Sequence, residues 1–351
     1  MNQPSDASPA DDRSLYDALL VVSFGGPESQ DDVIPFLENV LRGKNVPRER
    51  MLEVAEHYRH FGGKSPLNDQ NRELIAALEA EFKQHGIALP IYFGNRNWYP
   101  LLADTLEQMR LDGVRRALAY FTSAYSSYSG CRQYRENIAA AQEQVGAGVP
   151  RIDKLRMFYN HPLFVEAQAE RVRAALGQIP AERRAATQVI YTAHSIPNAM
   201  ADNCNYALQV AQTARLVSDS LSIRNWRVAY QSRSGPPQQP WLEPDVLDVL
   251  RELKAAGDVQ DVVIVPSGFL SDHMEVLFDL DTEAKDLAAG LGLNLVRAGT
   301  VGSHPTFVTM IRELIEERIA GTPRLAIGEF GPSHDVCPTD CCSYTPGRPK
   351  S

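Results

Sequence analysis

The chain has 351 residues, of which 44% are hydrophobic and 23% charged, and its formal net charge is −9. This composition is typical of a soluble globular protein with room for two ordinary domains. The acidic balance argues against a nucleic-acid partner, because phosphate binding needs a basic surface, and the sequence has no apolar run long enough to predict a transmembrane segment.

The first segment, residues 1–15, is polar and acidic and lacks the basic and apolar regions of a signal peptide. We predict a flexible N-terminus and a cytoplasmic protein.

Short apolar runs rich in β-forming residues alternate with helical patterns along the next three hundred residues. The runs are YDALLVVSF (16–24), LPIYFG (89–94), RRALAYFTS (115–123), QVIYTAH (188–194), RVAYQS (227–232) and DVVIVPSG (261–268). Nearly continuous apolar strands separated by helices indicate an α/β fold with parallel sheets. We predict two Rossmann-like doubly wound domains, residues 16–160 and 161–320, around a central cleft, followed by a cysteine-containing tail, 321–351.

The residues after these strands matter because open parallel sheets bind ligands beyond the carboxyl ends of their strands. SFGGP (23–27) lacks the spacing of GxGxxG, so a dinucleotide-dependent oxidoreductase is disfavoured. The loop 122–134 holds three tyrosines and four serines. It is able to line a flat amphipathic ligand, although a solvated loop explains it as well.

His194 ends one strand, and a later strand end delivers His273 and Glu275. An imidazole opposite a carboxylate can transfer protons near neutral pH or hold a metal such as Fe²⁺. Glu275, Asp279 and Glu283 follow at four-residue spacing, which places them in a helical stripe about 80° wide. A solvated helix face is the alternative, and Asp272 with Glu275 also has the spacing of a capping box.

Together these strings resemble the ferrochelatases over residues 16–320. They are SFGGP, FLENVLRGK (36–44), FGGKSPLN (61–68), YFGNRNW (92–98), TAHSIP (192–197), QSRSGPPQQPWLEPD (231–245) and GFLSDHMEVLFDLDTE (268–283), and they are most similar to the actinobacterial type of coproporphyrin III ferrochelatase. The resemblance implies a lyase of haem biosynthesis. Such an enzyme inserts Fe²⁺ into a porphyrin, with loss of two pyrrole protons, in a cleft between two chelatase-like domains.

The resemblance also implies roles for individual residues. His194 and Glu275 are expected to be catalytic and to face each other across the macrocycle, and both, with Asp279 and Glu283, are expected to contact the metal. A π-type widening of this helix would align its carboxylates. The expected porphyrin-binding residues are Arg42, Tyr58, Ser65, Tyr134 and Phe24, the last standing where some relatives have an iron-ligating tyrosine. His57 replaces an arginine that some relatives use near the propionates.

The tail cysteines Cys337, Cys341 and Cys342 resemble those of relatives that bind a [2Fe–2S] cluster. Four thiolates are usual for such a cluster, and the position of the fourth cysteine in animal enzymes is Ala167 here. Cys131 or Cys204 is therefore expected to be the fourth ligand. Incidental cysteines in a disordered tail, and a zinc or adventitious metal site, stay open.

Three functional alternatives stay open beside coproporphyrin III and its product, coprohaem. The substrate can be protoporphyrin IX, the chain can be a non-catalytic tetrapyrrole or iron carrier on the same fold, or it can be the disfavoured oxidoreductase. The expected partners are the porphyrin, Fe²⁺ and the next enzyme of haem synthesis.

Overall fold

The computed structural model describes residues 15–43, 46–236 and 238–344. The predicted flexible N-terminus therefore lies, except for Leu15, outside the described residues, as does the end of the predicted tail.

The strands form two parallel sheets of four strands, which confirms the predicted α/β class. The first sheet contains β1 (Ala18–Ser23), β2 (Ile91–Asn95), β3 (Arg116–Phe121) and β4 (Arg151–Lys154). The second contains β5 (Gln188–His194), β6 (Trp226–Gln231), β7 (Asp261–Val265) and β8 (Asn294–Arg297). The strand orders are β2-β1-β3-β4 and β6-β5-β7-β8, so the two halves of the chain repeat one doubly wound topology.

The sequence predicted six of these strands and missed β4 and β8. Both are edge strands, and they pair along one side only, with β3 and with β7. Their sequences, RIDK and NLVR, are short and largely polar, unlike the fully buried ALLVVS of β1. An edge strand can form with little apolar surface. β4 and β8 lack the continuous apolar run by which the other six strands, including the edge strands β2 and β6, were predicted.

Helices cover both faces of the sheets. They are α1 (Val33–Leu41), α2 (Arg48–His60), α3 (Leu67–His85), α4 (Leu102–Leu111), α5 (Gln133–Val145), α6 (Pro162–Leu176), α7 (Asn198–Ala201), α8 (Tyr206–Ser220), α9 (Val246–Ala256), α10 (Met274–Phe278), α11 (Lys285–Leu291) and α12 (Pro305–Ile319). Two π-helices, Tyr128–Arg132 and Asp279–Ala284, precede α5 and α11, and a 3₁₀-helix spans Ala181–Ala186.

Helix α9 illustrates how the sequence determines these elements. Asp245 accepts a hydrogen bond from the Leu247 amide at 2.8 Å and so caps the first turn. The helix ends at Gly257, whose φ of +81° suits a left-handed C-cap. In between, Val246, Val249, Leu250 and Leu253 recur at helical spacing and are all buried.

One core joins the two halves of the chain. Tyr16 and Leu74, from the first half, belong to the same buried cluster as Ile196, Phe307 and Ile311 from the second. Helix α12 packs against α3 as well as α6, so the last helix contacts the first half. The division into domains at residue 160 stays a prediction.

In the part of the chain that the structure describes, none of the helices has the length and apolar character needed to cross a membrane.

Candidate active site

Three strands of the second sheet bring polar side chains to one edge. His194 is the last residue of β5, Gln231 is the last residue of β6, and Glu275 lies in the helix that follows β7. Because β5 lies between β6 and β7 in a parallel sheet, all three positions meet at its carboxyl edge. Open α/β sheets bind ligands at this edge.

His194 and Glu275, predicted as the opposed catalytic groups, lie in direct contact. Nε2 of His194 is 3.7 Å from Oε1 of Glu275. The other ring nitrogen, Nδ1, lies 2.5 Å from the carbonyl oxygen of Ser195. A carbonyl only accepts, so Nδ1 carries a proton and donates it, which leaves Nε2 as the atom that gains or loses a proton.

This contact shifts both pKa values toward the charged forms. Burial by itself lowers the pKa of His194, but the Glu275 carboxylate and the Ser195 carbonyl outweigh it, so the pKa lies above its ordinary value. Burial by itself raises the pKa of Glu275, but the charge of His194 outweighs it and holds the pKa far below its ordinary range. The contact therefore favours the imidazolium–carboxylate form of the pair over its neutral form.

A flat macrocycle does not fit between these two atoms at their present separation. An atom in contact with a ring face lies about 3.5 Å from it, so atoms on opposite faces must be about 7 Å apart. The Glu275 side chain is 50% exposed and that of His194 is 31% exposed, which gives both room to move. A ring that entered here would break the ion pair and leave a nitrogen base on one face and a carboxylate on the other.

The helix that carries the acids contains a π-helical turn. Helix α10 ends at Phe278 and the π-helix Asp279–Ala284 follows without a break. The hydroxyl of Thr282 donates to the carbonyl of Leu277 at 3.3 Å, inside the widened turn. π-turns are rare and are frequently found at functional sites, and this one widens the turn that carries Asp279 and so alters the spacing expected of a regular helix.

Asp279 is held by the end of β6. Its Oδ2 accepts hydrogen bonds from the Ser232 hydroxyl and, at 3.3 Å, from the Gln231 amide. Burial, with the nearby charges of Glu275 and Glu283, raises the pKa of Asp279 to about 7. A carboxyl group with such a pKa can accept and release protons at neutral pH.

Glu275, Asp279 and Glu283 all line one open cavity of about 380 Å³. Glu283 is exposed, and burial followed by the charge of Asp245 raises its pKa. Among the described residues, the donor atoms of His194 and these acids do not converge as a three-ligand cluster. The three acids are thus spread along the wall of the cavity and, within the described residues, do not form a closed metal cage.

Helix α2 covers this cavity. The ring of His57 stacks on Phe278 of α10, with centroids 3.7 Å apart. Tyr58 packs edge-on against Phe36, with centroids 5.9 Å apart. Burial and the charge of Glu275 raise the pKa of Tyr58 above its usual range. His57 thus lines the cavity, whereas the role of Tyr58 at the porphyrin stays a prediction.

The other predicted porphyrin-binding residues have different surroundings. Phe24 is 39% exposed beyond the end of β1, and Arg42 is exposed at the end of α1. Ser65 is buried and accepts a hydrogen bond from the Leu67 amide at 3.3 Å. Tyr134 is buried under the guanidinium of Arg96, which lies 4.5 Å from its ring centre. Ser65 and Tyr134 therefore have structural partners already.

The glycines of SFGGP serve the turn next to Ser65. Gly25 has a φ of +86°. A Cβ on Gly26 would lie 2.7 Å from the Cβ of Ser65, closer than two such atoms approach. The motif therefore allows a close approach of two chain segments.

His273 and Asp272 act differently from either sequence expectation. Nδ1 of His273 accepts the Glu275 amide at 3.2 Å and caps α10, so the capping box of Asp272 and Glu275 is not formed. Burial lowers the pKa of His273. Asp272 instead pairs with Arg297.

Sequence reasoning missed four residues that hold the site. Ser232 and Gln231 bind Asp279, and Gln70 and Arg297 bind the segment that leads into the acidic helix. Ser232 is a polar residue directly after a predicted strand, and this position could have indicated that it lies at the site. Gln70 and Asp272 are 202 positions apart, and no local pattern relates them.

The tail cysteines gather beside the first half of the chain. Nε2 of His334 and the sulfurs of Cys337 and Cys341 lie within 4.8 Å of one another. The sulfurs of Cys341 and Cys342 are 3.7 Å apart. Cys337 packs against the buried cluster that contains Cys131, a residue of the first π-helix, and interaction with the Cys131 thiol lowers the pKa of Cys337 to about 4. These thiols form a soft donor set of the kind that binds iron–sulfur clusters or zinc.

Cys204 has a backbone hydrogen-bond partner. Its thiol donates to the carbonyl of Met200 at 3.3 Å.

The chain was compared with known families, proteins and structures. A sequence profile described as Ferrochelatase matches residues 16–319. A ferrochelatase of Rhodopirellula baltica is 60% identical over 335 residues, 95% of each chain. A coproporphyrin III ferrochelatase of Streptomyces coelicolor is 51% identical over 96% of each chain.

Solved structures that share the fold include a chelatase. It is the sirohydrochlorin chelatase SirB of Bacillus subtilis subspecies spizizenii in complex with cobalt, with a TM-score of 0.51 and 16% identity over 87% of this chain and 95% of SirB. At that identity the likeness concerns the fold alone.

Proposed function

The chain belongs to the ferrochelatase family, and we propose that it inserts Fe²⁺ into coproporphyrin III, giving coprohaem, at the cleft between His194 and Glu275. The observation that carries the proposal is the pair itself: an imidazole and a carboxylate from two strand ends meet at the ligand-binding edge of the sheet. Relatives named for coproporphyrin III, from several actinobacteria, support the choice of porphyrin.

In the proposed mechanism the porphyrin separates the pair. Once the carboxylate is on the opposite face of the ring, burial no longer has an opposing charge and lowers the pKa of His194. The neutral Nε2 can then accept a pyrrole proton, while Fe²⁺ approaches the other face past Glu275. Each turnover releases two protons from the pyrrole nitrogens as four metal–nitrogen bonds form.

Asp279 and Glu283 provide the approach for the metal. Carboxylate oxygens bind Fe²⁺ through few contacts when they are spaced along a helix, so the ion can be passed on to four nitrogens. The near-neutral pKa of Asp279 lets it exchange a proton when the metal arrives and leaves.

The four propionates of coproporphyrin require several cations around the ring. Arg50 lines the cavity, and Arg42 is exposed at the end of α1. Arg96 lies over the rings of both Phe24 and Tyr134. Among the described residues no carboxylate lies within ion-pair distance of Arg96, although Asn137 accepts a hydrogen bond from its Nε at 2.6 Å. We propose these arginines, with Tyr58 and Ser65, as the propionate side of the site.

We propose further that Cys131, Cys337, Cys341 and Cys342 hold a [2Fe–2S] cluster. The contact of Cys131 with Cys337 supports it over Cys204 as the fourth ligand. Such a cluster would supply an inorganic crosslink between the tail and the first half of the chain. A cytoplasmic location and a contact with the next enzyme of haem synthesis stay predictions from the sequence.

The catalytic assignment is tested with two variants. Under anaerobic conditions the wild type should convert coproporphyrin III and Fe²⁺ to coprohaem, whereas Glu275→Gln and His194→Ala should each lose about two orders of magnitude or more in rate. Porphyrin binding, measured by fluorescence quenching, should persist in both. Unaltered turnover in both variants would show that His194 and Glu275 are not the catalytic residues. Binding without turnover in the wild type would instead indicate a tetrapyrrole carrier.

The cluster is tested by its colour. The purified protein, without porphyrin, should absorb in the visible, and Cys131→Ser and Cys337→Ser should abolish the absorption while Cys204→Ser keeps it. Loss in Cys204→Ser with retention in Cys131→Ser would reverse the choice of the fourth ligand. A colourless wild type that contains zinc and no iron would replace the cluster with a zinc site.

A further inference from the structure

One arginine outside the cavity holds the acidic segment at two points. Arg297 is the last residue of β8. Its Nε donates to Oδ1 of Asp281 at 2.6 Å, and its Nη1 donates to Oδ1 of Asp272 at 2.8 Å. The side chain is 16% exposed, and those of Asp272 and Asp281 are 29% and 32% exposed. This partial burial makes the two ion pairs stronger than ordinary surface pairs.

The two carboxylates bracket the residues that do the chemistry. Asp272 lies directly before the cap of α10, and Asp281 lies within the π-helix. Glu275 and Asp279 are between them. Arg297 therefore spans the whole stretch in which the helix changes from α to π, and it does so from β8, a strand that contributes no group to the cavity.

Gln70, from the first half of the chain, also binds this segment, at the backbone of Asp272. The backbone amide of Asp272 donates to the side-chain oxygen of Gln70 at 2.8 Å, and the Gln70 amide returns a hydrogen bond to the Asp272 carbonyl at 3.3 Å. The start of the segment is thus fixed twice. The π-turn itself has a side-chain ion pair with Arg297 alone among the described residues.

We propose that Arg297 is a positioning residue for metal insertion, which keeps the π-turn formed and so sets where Glu275 and Asp279 present their oxygens. The proposal rests on the proposed function of the same site. A π-turn has a less favourable backbone than a regular helix and persists where the surroundings restrain it. Arginine suits the task because its rigid planar fork binds two carboxylates in a fixed geometry, which the single ammonium of lysine does not reproduce.

The chain offers a matched control in Arg312. This residue also joins two carboxylates, Glu81 at 2.9 Å and Glu316 at 2.6 Å, and its side chain is 13% exposed. It links α12 to α3 and does not line the cavity. Removing either arginine should cost similar folding free energy, but only Arg297 should affect the metal.

The first readout is kinetic. In Arg297→Met we expect the KM for Fe²⁺ to rise, or kcat to fall, by about tenfold or more, because a displacement of about 1 Å is enough to cost that much. The Kd for coproporphyrin III should change less than about twofold. Arg297→Lys should lie between Arg297→Met and the wild type. Arg312→Met should leave both metal and porphyrin parameters within about twofold of the wild type.

The second readout does not depend on turnover. Amide hydrogen exchange in residues 276–284 should accelerate in Arg297→Met and stay unchanged in Arg312→Met, whose exchange should accelerate in α12 instead. If Arg297→Met changes neither the metal parameters nor exchange in 276–284, the proposal is wrong. If the wild type inserts no iron but the exchange pattern is as expected, the proposed function fails while the restraint of the π-turn by Arg297 stands.

Discussion

At the scale of single residues, the site keeps three carboxyl groups in three electrostatic states. Glu275 is paired with His194 and its pKa is lowered. Asp279 is buried beside other acids and its pKa is raised to about 7. Glu283 is exposed and its pKa is raised. The same functional group can therefore act as a charged contact at one position and as a proton carrier one turn later.

Asp279 gives the stability a defined dependence on pH. Its pKa in the folded protein is about 7, against about 3.9 in the unfolded chain. Between about pH 4 and pH 7 the folded protein therefore holds a proton on Asp279 that the unfolded chain has lost. The contribution of this proton to the unfolding free energy is fully present below about pH 4 and is lost as the pH rises to about 7. Asparagine mimics the protonated acid at every pH.

We therefore expect the unfolding free energy of the wild type, relative to Asp279→Asn, to fall between about pH 4 and pH 7 and then level off. The slope should be at most about 1.4 kcal/mol per pH unit. Chemical denaturation of both proteins across this range measures it. A difference that stays flat, or that grows with pH, would contradict the assigned pKa.

At the scale of elements, the acidic helix shows what a regular period cannot predict. The four-residue spacing of Glu275, Asp279 and Glu283 was visible in the sequence, and all three do line the cavity. The π-turn between them makes contacts with Ser232, which follows β6, and with Arg297, at the end of β8. Central strands were predictable because burial on both faces leaves a local apolar run, whereas these contacts leave no local pattern.

Because long-range contacts leave no local sequence pattern, the positions of some predicted site residues could be anticipated and those of others could not. His194 and Glu275 stand at strand ends and so could be predicted to meet. Ser65 and Tyr134 were expected at the porphyrin, but only the structure reveals that Ser65 lies against Gly26 and Tyr134 beneath Arg96. The sequence alone could not choose between Cys131 and Cys204 as the proposed fourth cluster ligand, because the choice depends on how the tail folds back, and it stays a proposal.

The π-turn should be sensitive to the side chain of Thr282. Thr282→Val keeps the shape but removes the hydroxyl that donates to the Leu277 carbonyl at 3.3 Å. We expect a loss of about 1 kcal/mol in the unfolding free energy, the usual net contribution of one such bond. The matched control is Thr309→Val, on α12, which removes a hydroxyl that donates to Glu81 at 3.2 Å. It should leave amide hydrogen exchange in residues 276–284 unchanged. Equal exchange in that segment in the two variants would contradict the special role of Thr282.

At the scale of the whole molecule, a buried ion pair connects the two halves of the chain. Arg156 and Glu317 are 1% and 2% exposed and are joined by two hydrogen bonds of 2.7 and 2.8 Å. Arg156 also donates to the carbonyl of Leu325 at 2.8 Å, which holds the start of the tail. The pair thus joins the segment after β4, helix α12 and the start of the tail.

Removing one partner of the Arg156–Glu317 ion pair should lower the unfolding free energy more than removing both partners. Glu317→Met leaves a buried guanidinium without its counter-charge, and we expect it to cost about 3–5 kcal/mol of unfolding free energy. The double variant Arg156→Met/Glu317→Met should cost less than Glu317→Met alone. Denaturant titration of the single and double variants measures the coupling. Additive losses would mean that the two side chains stabilise the protein independently.

The central claim is that this cleft inserts iron into coproporphyrin III. The most direct test gives the wild-type protein Fe²⁺ and equal amounts of coproporphyrin III and protoporphyrin IX under anaerobic conditions, and follows both haems by chromatography. We predict that coprohaem forms in large excess. Formation of protohaem alone, or of neither product, would contradict the account.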